Sequence, residues 1–160
     1  MSAELQMFEH YRRLIAGTTI DSSTLLSTDY FNLFNEVIML LGMLPDMPDM
    51  LDEVSAWRFK TYAQHFAESG LAFAPLAIEA YPHAPPAALV SFEQTIEKMH
   101  VMIEEAKRVL SEDLASGNLD LFAGKAIGYS LELQRLVDTG SAIVHGQEAV
   151  LDQSAIDALF

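Results

Sequence analysis

Phe92, Ile96, Met99, Ile103, Ala106 and Leu110 recur at steps of three and four residues, an apolar stripe that only an α-helix places on one face. The pattern extends from Ala87 to Leu114, with Glu93, Glu97, Glu104, Lys107 and Arg108 mostly off the stripe. A helix with one wet face needs a second element to cover the other. That element follows at once. After the turn residues Ser116, Gly117 and Asn118, the chain returns through Leu121, Phe122, Ile127, Leu131, Leu133, Val137 and Ile143 at helical spacing. So short a connection makes the two helices antiparallel neighbours, which predicts a long helical hairpin in the C-terminal half.

The N-terminal half reads as shorter helices. Leu5, Phe8, Arg12 and Ile15 suggest a first helix ending near Gly17, and the Ser-, Thr- and Asp-rich stretch from Thr18 to Thr28 reads as a loop. Ser27 or Thr28 can cap a second helix through Phe31, Phe34, Val37 or Ile38, Leu41 and Leu44. Leu33, Met39 and Leu40 widen its apolar face, which suits a central helix, and Pro45 stops it. Pro48 sits where a further helix tolerates proline, ahead of the first-turn acids Asp49, Asp52 and Glu53. A short helix over Thr61 to Glu68 ends at Gly70, and Pro75, Pro82, Pro85 and Pro86 break the chain into a compact connection reaching Ala88. Met39, Met43, Met47 and Met50 read as core filler. No run reads as a strong strand, so the fold class is all-α: a helical bundle over residues 1–146, followed by a short helix or docking tail over 147–160.

Length and composition fit one domain, folding alone or as a homodimer, because 160 residues with 51% hydrophobic content can bury a sufficient core. Acids outnumber bases 23 to 9, for a net charge of -14, and the cations are scattered. Nucleic acid and anionic membranes are therefore excluded as partners, and a basic protein surface is favoured. No cysteine is present, which excludes disulfides, thiolate catalysis and cysteine-ligated metals, and fits a cytoplasmic protein. Glu4 and Glu9 interrupt the N-terminal stretch where a signal peptide would be basic and then apolar, so no targeting segment is expected. Val37 to Leu44, the longest apolar run, is too short to cross a bilayer.

Three constellations could carry chemistry. Bundle metal sites use a Glu three residues before a His, and Glu97 with His100 has that spacing, which makes His65, Glu97 and His100 the metal candidates. His65, in AQHFAESG, resembles the phospho-accepting histidine of phosphotransfer bundles, although Glu68 and Ser69 stand where that family carries a lysine and a small residue. Asp29 with Asn32, and Gln134 with Asp138, are acid–amide pairs at helical spacing, the combination with which response-regulator phosphatases position a water for in-line attack. No nucleophile elbow or phosphate-cradling glycine pattern occurs, and no cofactor is implied.

The final segment, LDQSAIDALF, carries the one resemblance to a specific functional peptide. It resembles the N-terminal peptide of the flagellar switch proteins, close to L-S-Q-x-E-I-D-A-L-L, which docks as a short helix on the chemotaxis response regulator CheY. A similar acidic helix ends the chemotaxis phosphatase CheZ. Leu151, Gln153, Ile156, Asp157, Ala158 and Leu159 match the pattern, while Asp152, Ala155 and Phe160 replace serine, glutamate and leucine. The resemblance implies a receiver-domain partner, with Ile156, Leu159 and Phe160 as anchors and Asp152 and Asp157 steering toward a cationic surface. The phosphatase's own D-L-T-G-Q run has only VDTGSA, Val137 to Ala142, as its counterpart. The sequence thus favours a non-enzymatic signalling module, with an auxiliary phosphatase and a bundle with a metal or small-ligand pocket as the alternatives.

Overall fold

A computed structural model describes residues 2–147. Among them the chain forms seven α-helices and no strand: α1 (Ala3–Leu14), α2 (Asn32–Met43), α3 (Leu51–Ala56), α4 (Tyr62–Ser69), α5 (Ala74–Ala80), α6 (Pro86–Ser116) and α7 (Leu119–Val144). Short 3-10 turns precede α2, α3 and α6 at Thr28–Phe31, Pro48–Met50 and Tyr81–His83. The fold class is all-α, as the sequence predicts, and α6 and α7 are the long helical hairpin. Two compact units share these elements: residues 2–30, 60–95 and 138–147 form one, and 31–59 with 96–137 the other.

In the second unit the hairpin turns at Gly117, whose φ of 81° is one that residues with a Cβ rarely adopt. The Asn118 side chain then accepts a hydrogen bond from the Leu121 backbone at 3.1 Å, satisfying a first-turn donor of α7. Lys125 pairs with Asp113 across the turn at 2.9 Å. Ile96, Met99, Ile103, Ala106 and Leu110 of α6 are buried, as are Phe122, Ala126, Leu133 and Val137 of α7. α2 buries Leu33, Phe34, Val37, Ile38, Leu40 and Leu41, and the Ser130 hydroxyl donates to the Ile38 carbonyl at 3.0 Å. Trp57 closes this unit: its indole N–H donates to the Leu33 carbonyl, and the Lys107 ammonium donates to its carbonyl at 2.7 Å while lying over its ring.

In the first unit Tyr30, Tyr62, Phe66, Tyr81 and Phe92 make a connected group of rings. Its polar edges are satisfied, since the Tyr62 hydroxyl accepts from the Ser27 backbone and the Tyr30 hydroxyl donates to the Lys60 carbonyl. Thr61 and Gln64 form a reciprocal capping box at the start of α4, and Gly70, with φ 73°, ends it. α1 is capped by Ser2 and touches this unit partly through Tyr11, whose ring stacks on His83.

Four expectations need correction. The proline-rich connection contains α5, because Pro75 occupies a first-turn position whose backbone donor would have no helical partner in any case. α1, expected to turn an apolar face inward through Leu5 and Phe8, buries none of its residues, and the burial falls on its C-cap Ile15. Met39 and Met47 face solvent instead of filling the core. Leu121, Ile127 and Leu131 lie on the outer side of α7, where Ala126 takes the inward position that Ile127 was expected to hold.

Candidate functional site

The predicted partner-binding residues Leu151, Asp152, Gln153, Ile156, Asp157, Leu159 and Phe160 lie outside the described residues. What the structure describes is the end of α7 and Gln147, which precede that segment in the chain. α7 ends in a Schellman arrangement: the Gln147 N–H donates to the Ala142 carbonyl and the Gly146 N–H to the Ile143 carbonyl, both at 2.9 Å. Gly146 has φ 83°, and a Cβ there would meet the Ser23 hydroxyl at 2.9 Å, so the position admits glycine for conformation and for space.

The loop over residues 21–26 clamps this helix end. Its own ring closes through Leu25 N–H to the Asp21 carbonyl and Asp21 N–H to the Leu26 carbonyl, both 2.8 Å. Leu25 takes a φ of 63°, costly for a residue with a branched side chain, and is fully buried. From this loop the buried Thr24 hydroxyl donates to the Val144 carbonyl, one of the acceptors a helix C-terminus leaves open. Asp21 receives hydrogen bonds from Ser23 and pairs with His145 Nδ1 at 2.9 Å. Burial raises the Asp21 pKa, but the hydrogen bonds from Ser23 and His145 outweigh it and hold the carboxyl below its ordinary value.

The structure also brings together two candidates that the sequence separates by 36 positions. His65 on α4 hydrogen-bonds the backbone of Asp29, and its ring meets the edge of Tyr30. The Asp29 carboxylate accepts from the hydroxyls of Thr19 and Ser27. Desolvation lowers the His65 pKa, with Lys60 adding to it against the opposing pull of the Asp29 backbone, Asp29 and Glu68. The cluster is no hydrolase triad, since Ser27 is fully buried.

The remaining candidates lie on α2, α6 and α7. Asn32 is exposed at the start of α2, and Gln134 and Asp138 are exposed on α7. Glu97 is exposed on α6, and His100 stacks flat on Phe59, with ring centroids 4.0 Å apart. Among the described residues no group of three or more His, Asp and Glu side chains could hold a metal ion.

A feature the sequence reading missed is a cleft of about 690 Å³ in the first unit, between the start of α1 and residues 82–86. Leu5, Phe8, Pro82, Ala84 and Pro86 give it apolar walls, and Glu4 and His83 lie at its polar edge. The available signal was the combination of an amphipathic first helix with a proline cluster that has few backbone donors to offer.

No protein-family model, curated protein or solved structure matches the chain.

Proposed function

We propose that the chain is a non-enzymatic signalling module, a helical domain that offers Leu151 to Phe160 to the receiver domain of a response regulator in chemotaxis or a related two-component pathway. The match of LDQSAIDALF to the docking pattern of the flagellar switch peptide carries this reading. Two physical features support it. The clamped end of α7 holds Gln147, four residues before the segment begins, in a defined position. Residues 147–160 also carry three acids, Glu148, Asp152 and Asp157, and no cation, which suits a basic partner surface and speeds association with it.

The test is a titration of a synthetic peptide spanning 147–160 against the receiver domains of the source organism. Binding is expected to be weak, because a short segment pays its ordering cost on binding. Ile156→Ala and Leu159→Ala each weaken it by roughly 1–3 kcal/mol, whereas Asp157→Asn mainly slows association and flattens its salt dependence. Absence of binding to every receiver domain overturns the proposal. The phosphatase alternative requires faster phosphate release from a phosphorylated receiver, abolished by Gln134→Ala or Asn32→Ala.

A further inference from the structure

We infer that the outer face of α7 in the second unit, from Leu121 to Arg135, is an interface on which a second copy of this chain packs α7 against α7, antiparallel and two-fold symmetric. At about 100° per residue, Leu121, Gly124, Gly128, Leu131 and Arg135 fall within about 80° of one another, on the side of α7 away from the buried Phe122, Ala126, Leu133 and Val137. Leu121 is exposed, and Leu131 is the most exposed large apolar side chain among the described residues. A second apolar stripe, on a helix whose first stripe already fills a core, marks a second contact.

Self-complementarity identifies the occupant as a copy. A two-fold interface requires that residue i meet residue j while j meets i. Leu121 and Leu131 are each five residues from Ala126, and Gly124 and Gly128 are each two. In an antiparallel pair crossing at Ala126, each Leu131 lies about 4.5 Å along the axis from the second copy's Gly124, and each Leu121 is equally close to its Gly128. Each leucine falls on the same side of the contact line as that glycine, so every protruding side chain meets a gap. A Cβ at either glycine would meet nothing within 4 Å, which leaves room beside the backbone. Beside Gly128 the room is a groove of about 290 Å³ shared with Met102, Lys125, Tyr129 and Glu132, and the second copy's Leu121 enters from that side.

Charge agrees with this occupant. The chain carries a net charge of -14, so an acidic face would repel its copy. Residues 119–137 of α7 are neutral, with Asp120 and Glu132 against Lys125 and Arg135. The same crossing sets each Arg135 about 4.5 Å along the axis from the second copy's Asp120, and symmetry makes that ion pair twice. Within its own helix Arg135 meets Glu132 at 3.2 Å, an exposed contact of little strength, and its five-donor guanidinium can engage a second acid.

Sedimentation equilibrium of the full chain tests this. The mass should rise from 17.7 kDa toward twice that value as the concentration approaches about 200 µM. Leu131→Asp should raise the dissociation constant at least about 100-fold, since symmetry removes the anchor twice, whereas Leu14→Asp on the exposed side of α1 should leave it unchanged. Arg135→Asp should weaken the dimer about 10-fold, and adding Asp120→Arg should restore affinity to within about 3-fold. A mass of 17.7 kDa at every concentration overturns the inference. A dimer that survives Leu131→Asp, or that is indifferent to Arg135→Asp, also overturns it, because another face is then in use. Circular dichroism checks that each variant keeps its helicity. If Leu131→Asp unfolds the chain, the charge swap between the exposed Asp120 and Arg135 decides alone. None of these substitutions touches residues 148–160, so the outcome is independent of the receiver-domain proposal.

Discussion

Gly146 and Gly124 carry the same residue in opposite physical situations, and alanine separates them. At Gly146 a Cβ faces both a left-handed backbone and the Ser23 hydroxyl, so Gly146→Ala should cost at least about 1 kcal/mol in urea unfolding. At Gly124, inside α7 with nothing within 4 Å of a Cβ, alanine should stabilise by up to about 1 kcal/mol through helix propensity alone. Equal effects would mean that α7 does not end as described. His65 gives the second residue-scale prediction. Its folded pKa is lowered, chiefly by desolvation, so the unfolded chain takes the proton first. The stabilisation from keeping the ring neutral is complete above the unfolded value near 6.5 and is lost as pH falls through the folded one. Melting temperature should therefore drop on acidification below about pH 6.5, and His65→Gln should flatten that part of the profile. The buried Tyr30 and Tyr62 and the half-buried Tyr81 have the opposite sign. Burial raises their pKa values, so they withdraw stability above about pH 10, where the unfolded chain ionises first.

At the scale of elements, legibility followed the uniqueness of the apolar face. α6 has one stripe, and all six of its predicted positions are buried. Ile103→Ala should accordingly cost roughly 2–5 kcal/mol, while Val101→Ala, at 57% exposure two positions away, should cost under about 0.5 kcal/mol. Similar losses would show that the stripe had been placed on the wrong face. α7 carries apolar residues on two faces, so its phase could not be chosen by side-chain size. The large Leu131 is 65% exposed while the small Ala126 is fully buried. Met39, 60% exposed, misled in the same way, because a hydrophobic residue in a nearly all-apolar helix says nothing about direction. α4 was legible to within a residue or two because Thr61, Gln64 and Gly70 are local signals. The contact of His65 with Asp29 and the Thr24 clamp on α7 are products of tertiary folding, and no spacing within one element announces them. The cleft was invisible for the same reason.

At the scale of the whole molecule, the described residues already contain a closed core, with Ile143 and Val144 buried just before the chain leaves α7. A chain ending at Gln147 should therefore unfold cooperatively. If residues 148–160 serve a partner and not the core, their removal should cost no more than about 1 kcal/mol, which lowers the melting temperature by up to about 4 °C in a chain of this size. A drop beyond about 10 °C would make them the last helix of the core and would undercut the partner reading. Charge adds a second, independent axis. With 23 acids against 9 bases the compact state repels itself, and screening relieves that repulsion, so moderate salt should raise the melting temperature of the truncated chain. The full chain, which adds the acids Glu148, Asp152 and Asp157 and no cation, should gain at least as much. The gain should come between about 0.05 and 0.5 M salt, over which the Debye length falls several-fold. A melting temperature independent of salt would show that the excess acids do not repel one another appreciably in the folded chain.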